Sequence, residues 1–144
     1  MRFDMTQSGT QGYLIAPATL AADNTPATFD IGKADACSVF LQVGVGGITF
    51  SGTNKIEFVL SHSDSESSGF AAVTQDHVVG ATVTGSGIVR SLTAAHADPT
   101  VTAIGYIGGK RYLRLLADFS GTHGTGTPIA ALAVRGRLDR IAPA

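Results

Sequence analysis

The strongest strand pattern in the chain is Arg111-Tyr112-Leu113-Arg114-Leu115-Leu116-Ala117-Asp118-Phe119. Alternate positions of this stretch form one mainly apolar side, made of Leu113, Leu115, Ala117 and Phe119. The opposite side is made of Tyr112, Arg114, Leu116 and Asp118. Successive side chains of a β-strand point to opposite faces of a sheet, so a period of two is typical of a half-buried strand. The stretch therefore predicts a strand with one face in a core and the other at the surface.

Similar alternation occurs earlier in the chain, in Lys55–His62 and Cys37–Val43. Shorter apolar runs predict further strands at Tyr13–Ala16, Thr28–Ile31, Gly47–Phe50, Gly87–Leu92, Val101–Ile107 and Ile129–Arg135. The turns between these runs contain Gly, Asn, Asp and Pro, the residue types that turns favour. The one helical signal predicts a short turn at Ser91–Ala97. We therefore expect an all-β fold, an antiparallel β-sandwich or jelly-roll-like barrel with short strands and Gly-rich turns.

The composition fits one small globular domain that is poor in charge. Of 144 residues, 15% are charged and 18 are glycine, and the net charge is −1; an average soluble domain is about 25% charged. We expect a single domain over residues 1–144, with 1–12 as a candidate extended arm and 136–144 as a C-terminal tail. The near-neutral charge argues against a nucleic-acid partner. No apolar run approaches the ~20 residues of a membrane helix, so no membrane partner is expected.

The sequence contains residue types that occur in catalytic and metal sites, but their arrangement does not fit such a site. The stretch Ser61–Ser68 holds Ser, His and Asp in one polar segment, whereas a catalytic triad converges from separate parts of a fold. His62, Asp64, Asp76 and His77 are the candidate metal ligands, without the spacing that would fix a metal site. Gly105–Arg111 lacks the spacing and the Ser/Thr of a phosphate-binding loop. We therefore predict no enzyme activity, no metal and no cofactor.

Cys37 is the only cysteine and lies in an apolar segment. An internal disulfide is therefore excluded, and no cationic neighbour in the sequence would activate the thiol. The expected role of Cys37 is that of a small buried apolar residue. The N-terminal residues contain no apolar segment of the kind found in a secretion signal. The single cysteine and these N-terminal residues both fit synthesis in a bacterial cytoplasm.

Charge is distributed unevenly along the chain. Residues 1–109 contain four basic and nine acidic side chains, whereas residues 110–144 contain six basic and two acidic ones. One interpretation is a basic patch for an acidic partner, and the other is internal charge balance. Arg and Tyr are favoured interface anchors. The candidate interface residues are Arg111, Tyr112, Arg114, Arg135, Arg137 and Arg140.

Four stretches in the C-terminal two thirds of the chain are similar to segments of a known protein family. They are Phe58–Asp64, Ser68–Val73, Ile104–Arg114 with its Gly-Tyr and Lys-Arg-Tyr-Leu-Arg elements, and Gly124–Val134, followed by a closing Ala142-Pro143-Ala144. In this order they resemble small head structural proteins of tailed bacteriophages, the capsid decoration or cement proteins. The N-terminal third is less similar.

The resemblance implies a β-fold virion component that binds the outer surface of the head and stabilises it. The implied partners are the major capsid protein and further copies of the chain, with a trimer favoured, and the implied location is the capsid surface of the virion. It supplies no catalytic residues. The alternatives are a tail, baseplate or head–tail joining component, and less favoured, a carbohydrate-binding β-sandwich module or an enzyme.

Overall fold

The structure is a computed structural model that describes residues 9–34, 36–46 and 48–136. These residues form ten strands and one short 3₁₀ turn at Gln75–His77. The strands are β1 (Gly9–Leu20), β2 (Phe29–Asp30), β3 (Ala36–Val43), β4 (Lys55–Ser63), β5 (Ala71–Ala72), β6 (Val78–Val79), β7 (Ile88–Leu92), β8 (Thr100–Tyr106), β9 (Tyr112–Ser120) and β10 (Thr127–Gly136). No helix in the described part of the chain is long and apolar enough to cross a membrane.

The strands form two antiparallel sheets. Sheet A has the order β1-β10-β3-β8-β6, and sheet B has the order β2-β9-β4-β5, with β7 also paired to β4. The longest continuous ladder of sheet B joins β4 to β9 and runs from Lys55 opposite Ser120 to Ser63 opposite Tyr112. Because most neighbouring strands are distant in sequence, long-range pairing rather than local hairpins defines the fold.

The core lies between the two sheets and is built from the alternating apolar positions. Sheet B contributes Ile56, Phe58, Leu60, Leu113, Leu115 and Ala117, and sheet A contributes Val39, Leu41, Ile104, Ala131 and Ala133, all of them 0% exposed. These positions are spaced by two along β3, β4, β9 and β10, as a strand buried on one face requires. The predicted all-β antiparallel sandwich is therefore confirmed.

Two turns depend on glycine because the backbone there has a positive φ and other backbone lies close. Gly126 has φ 84°, and a Cβ at this position would lie 2.6 Å from the carbonyl oxygen of Leu20. Gly87 has φ 81°, and a Cβ there would lie 2.8 Å from the carbonyl oxygen of Leu60. Both positions lie beside strand ends, so glycine allows the chain to turn against a neighbouring element.

Several sequence predictions differ from the structure in detail. Gly47–Phe50 was expected to be a strand, but residues 48–50 form a loop whose Phe50 fills the core from one end of the sandwich. No helical turn forms at Ser91–Ala97, where β7 continues to Leu92. Residues 9–12 of the expected arm are the start of β1, because Gly9 pairs with Gly136. The remainder of the arm and of the C-terminal tail lies outside the described residues.

Candidate interaction surface

The outward side of sheet A carries no charged residue among those described. Strand pairing aligns its side chains in three rows: Gln11, Val134, Ser38, Gly105 and Val79; Tyr13, Leu132, Phe40 and Ala103; and Ala130, Gln42 and Val101. We call these residues the uncharged face. They come from all five strands of sheet A, so the face spans the whole width of the sheet.

Large apolar side chains are exposed on this face. Tyr13 is 52% exposed, Val79 is 50% exposed and Val101 is 66% exposed, while Phe40 and Leu132 are half-buried between them. Single exposed apolar residues are ordinary, but a contiguous apolar patch on a soluble protein marks an interaction site. The uncharged face is therefore the best candidate for a binding surface.

The two sheets differ sharply in charge. Among the five strands of sheet A the only charged residue is Arg135, which lies opposite the buried Cys37 in the β10–β3 ladder. The strands of sheet B carry Asp30, Lys55, Glu57, Arg90, Arg114 and Asp118. Since water solvates charge well and a protein interface does so poorly, sheet B is suited to face solvent and sheet A to face a partner.

A groove of about 470 Å³ lies at one end of the uncharged face. Its lining comes from β1, β3, β8 and β10 and the residues beside them, namely Pro17, Ala18, Thr19, Gln42, Val43, Gly44, Pro99, Thr100, Val101, Pro128, Ile129 and Ala130. None of these residues is charged, and five of them are Pro or Val, whose side chains have little conformational freedom. The groove is thus a mainly apolar site whose polar lining residues are Thr19, Gln42 and Thr100.

The predicted basic residues lie elsewhere and make internal contacts. Arg111 binds Asp30 through two parallel hydrogen bonds, Nε to Oδ1 at 2.9 Å and Nη2 to Oδ2 at 3.0 Å. The contact with Arg111 lowers the pKa of Asp30, and the contact with Asp30 raises the pKa of Arg111. Arg135 donates from Nη1 to the carbonyl oxygen of Asp30 at 2.7 Å. Two of the predicted arginines therefore meet at one short strand, β2.

Arg114 is also held within the chain. Its Nε donates to the hydroxyl of Thr28 at 2.8 Å, its Nη2 donates to the carbonyl oxygen of Glu66 at 3.2 Å, and its guanidinium lies 4.0 Å from the centre of the Phe70 ring. Arg111 thus pairs with a carboxylate, whereas Arg114 is held by neutral groups, and the role of these arginines at an interface stays a prediction. Tyr112 is half-buried on the outward side of sheet B, beneath the guanidinium of Arg111. Arg137 and Arg140 lie outside the described residues.

The polar stretch Ser61–Ser68 is ordered by hydrogen bonds within it and by an ion pair to Lys110. Ser63 donates to the carbonyl oxygen of Ser68 at 2.6 Å, and Asp64 forms an ion pair with Lys110 at 2.6 Å. Both sides of the ion pair are substantially exposed. The described residues include no group of three or more His, Cys, Asp or Glu that would hold a metal ion. This stretch therefore fastens the end of β4 to the β8–β9 connection.

The histidines occupy structural positions that the sequence did not reveal. His62 is buried, its Nδ1 lies 2.7 Å from the Tyr106 hydroxyl, and its ring centre lies 4.6 Å from that of His77. At the opposite end of the sandwich, His96 stacks on Phe50, and His123 packs edge-on against Phe119. His62 and Tyr106 are distant in the chain, as are His96 and Phe50, so only the fold brings each of these pairs together, whereas His123 and Phe119 lie four residues apart.

The uncharged face was also missed, although the sequence carried a signal for it. Residues 5–22, 36–54, 99–109 and 119–134 contain no Asp, Glu, Lys or Arg. These four segments supply four of the five strands of sheet A. An uncharged segment alone indicates only a buried or apolar strand, and the common face requires knowledge of which strands pair.

No protein-family model matches the chain, and no curated protein sequence matches it. One similar solved structure is described by the words "Bacillus endospore appendages form a novel family of disulfide-linked pili". It shares 11% identical residues, over 92% of this chain and 90% of that chain, with a TM-score of 0.40. At this level of similarity, function has to be argued from the residues of the chain itself.

Proposed function

We propose that this protein is a structural component of a tailed-bacteriophage virion that binds the outer surface of the head and stabilises it. The observation that carries the proposal is the uncharged face, which offers an apolar docking surface across all five strands of sheet A. The sequence resemblance to capsid decoration proteins supplies the partner, the major capsid protein. The assembled form that we propose is a homo-oligomer, with a trimer as the form that suits three-fold positions of a capsid.

The dimensions of the face suit such a role. Four strands of sheet A have seven residues or more and β6 has two, so strands about 4.8 Å apart and about seven residues long cover roughly 19 by 23 Å. That area is well below the ~800 Å² per partner of a standard stable interface. A modest area is sufficient for a decoration protein, because many copies act on one shell and each bound copy favours the shell conformation that it fits. Binding through sheet A would leave the charged sheet B in water.

The proposal is tested with heads that lack the protein. Purified protein added to such heads should co-sediment with them and raise their melting temperature. The Tyr13→Glu variant should bind at least about tenfold more weakly, because it places a charge in the middle row of the uncharged face. Ser91→Glu is the matched control, since Ser91 is exposed on sheet B and its variant should bind like the wild type.

Three results would overturn parts of the proposal. Failure of the wild-type protein to bind heads would reject the decoration function. Binding restricted to tail or baseplate fractions, with tens of copies per particle rather than hundreds, would favour the alternative virion location. Equal loss of binding in Tyr13→Glu and Ser91→Glu would reject the uncharged face as the docking surface while keeping the location on the head.

A further inference from the structure

The groove at the end of the uncharged face lies far from the point where the described chain begins. In the β1–β10 ladder, Gly9 pairs with Gly136 at one end of sheet A, and Thr19 pairs with Pro128 at the other. Pro17, Ala18 and Thr19 line the groove, so it lies at the end away from Gly9. At about 3.3 Å per residue, Gly9 and Ala18 are separated by roughly 30 Å along β1.

The residues before Gly9 have a pattern that suits an apolar groove. Met1, Phe3 and Met5 alternate with Arg2 and Asp4, which gives one apolar and one charged side to an extended segment. Met side chains adapt to irregular apolar sites, and a Phe side chain supplies a large apolar area. The charged side would remain in water at the margin of the groove.

The reach of the chain prevents this segment from filling its own groove. Met5 precedes Gly9 by four residues, which span at most about 14 Å, and Met1 precedes it by eight, which span at most about 29 Å. The groove lies roughly 30 Å from Gly9, so Phe3 and Met5 fall short of it. A second copy of the chain has no such restriction, because its Gly9 can lie beside the groove.

We propose that the Met1–Met5 segment of one copy binds the groove of a second copy, with Met1, Phe3 and Met5 against the apolar lining. This self-association is independent of capsid binding, since it uses one end of sheet A and needs no other protein. A head-to-tail contact of this kind joins different surfaces of two copies, so a closed ring forms when the rotation between copies permits it. The uncharged residues of the middle row remain available to another partner.

A cross-linking experiment with two different full-length chains tests the contact. One chain carries Phe3→Cys, and the other carries Val101→Cys, at a groove residue that is 66% exposed. Mild oxidation of the mixture should join the two, and any such disulfide connects different copies. A chain with Ser91→Cys, exposed on sheet B, replaces the second chain as the matched control and should not be joined. The wild-type chain controls for the buried Cys37.

Sedimentation of the full chain without capsids gives a second measurement. The wild type should exceed the monomer mass at high micromolar concentration, and Phe3→Asp should weaken association by about tenfold or more. Asp4→Ser, on the charged side of the alternation, should associate like the wild type. A wild type that stays monomeric overturns the proposal, and so does association that persists in Phe3→Asp. In a further mixture, a chain with Leu138→Cys replaces the chain with Phe3→Cys. A disulfide between Leu138→Cys and Val101→Cys would assign the groove to the C-terminal residues and would also overturn the proposal.

Discussion

The hydroxyl of Tyr106 lies 2.7 Å from Nδ1 of the buried His62 and also accepts a hydrogen bond from the backbone N–H of Lys110 at 3.0 Å. Since that oxygen accepts the Lys110 hydrogen bond, we assign its hydroxyl proton to the bond with His62 Nδ1 and the proton of the neutral imidazole to Nε2. Burial lowers the pKa of His62, and the neighbouring His77 and Lys110 lower it further, while Asp64 acts in the opposite direction. This pair therefore links the stability of the two-sheet junction to pH.

The first prediction concerns stability in mild acid. A histidine whose pKa is lower in the folded than in the unfolded chain stabilises the fold above about pH 6.5 and loses that contribution as the pH falls below it. We therefore expect a lower free energy of unfolding at pH 5 than at pH 7.5, measured by urea denaturation. Asp30, whose pKa is lowered by Arg111, does not interfere, because its contribution is lost only near pH 4 and below.

The variant His62→Asn isolates this effect. Its side-chain oxygen can accept the Tyr106 hydrogen bond at the position of Nδ1, but it does not titrate. The decrease in stability between pH 7.5 and pH 5 should become clearly smaller in this variant. The explanation fails if the wild type and His62→Asn respond identically to pH.

The second prediction concerns the loop after β4. Arg114 holds this loop through the carbonyl oxygen of Glu66 and the ring of Phe70. A lysine keeps the charge but loses the planar guanidinium that makes both contacts, so Arg114→Lys should speed amide hydrogen exchange in residues 63–70. Arg111→Lys is the matched control, since Arg111 contacts Asp30 instead. Unchanged exchange in Arg114→Lys would mean that the loop's own hydrogen bonds suffice.

The third prediction concerns the single thiol. Burial raises the pKa of Cys37 to about 11, and the nearby Arg135 lowers it only in part. Because the thiolate is the reactive form, the native thiol should react with a disulfide reagent at pH 8 at least about a hundredfold more slowly than the unfolded chain. A Ser91→Cys variant should show one fast thiol per native chain. Fast reaction of the native wild type would show that Cys37 is accessible.

The sequence predicted those parts of the fold whose signal is periodic and long. Lys55–His62 and Arg111–Phe119 became β4 and β9 with bounds shifted by a residue at most, because one buried face imposes alternation. The two-residue strand β5, Ala71–Ala72, is too short to show any period. The strand predicted at Gly47–Phe50 was wrong. In a sequence, an apolar side chain that enters the core from a loop looks the same as one inside a strand.

The candidate interaction surface was harder to predict than the fold. In β3 the core side includes Val39, and the outward side places Phe40 between the polar residues Ser38 and Gln42. Alternation therefore does not reveal that Phe40 lies in a row with Tyr13 and Leu132, which come from strands distant in the chain. Arg111 and Arg114 are visible in the sequence as charged residues, but their partners Asp30 and Glu66, 81 and 48 positions away, become neighbours only in the fold. Surface assignments of this kind depend on register, which a single strand does not specify.

The fourth prediction separates two glycines that the sequence does not distinguish. Gly126 has a positive φ, and a Cβ there would meet backbone atoms of Leu20 at 2.6 Å, so Gly126→Ala combines strain with a clash that no side-chain rotation relieves. We expect a loss of about 1–3 kcal/mol or more in the free energy of unfolding. Gly52→Ala should stay within ~0.5 kcal/mol of the wild type, because nothing lies within 4 Å of its Cβ position. Thermal or urea denaturation of both variants measures the difference, and equal stabilities would show that the turn before β10 does not require the left-handed conformation.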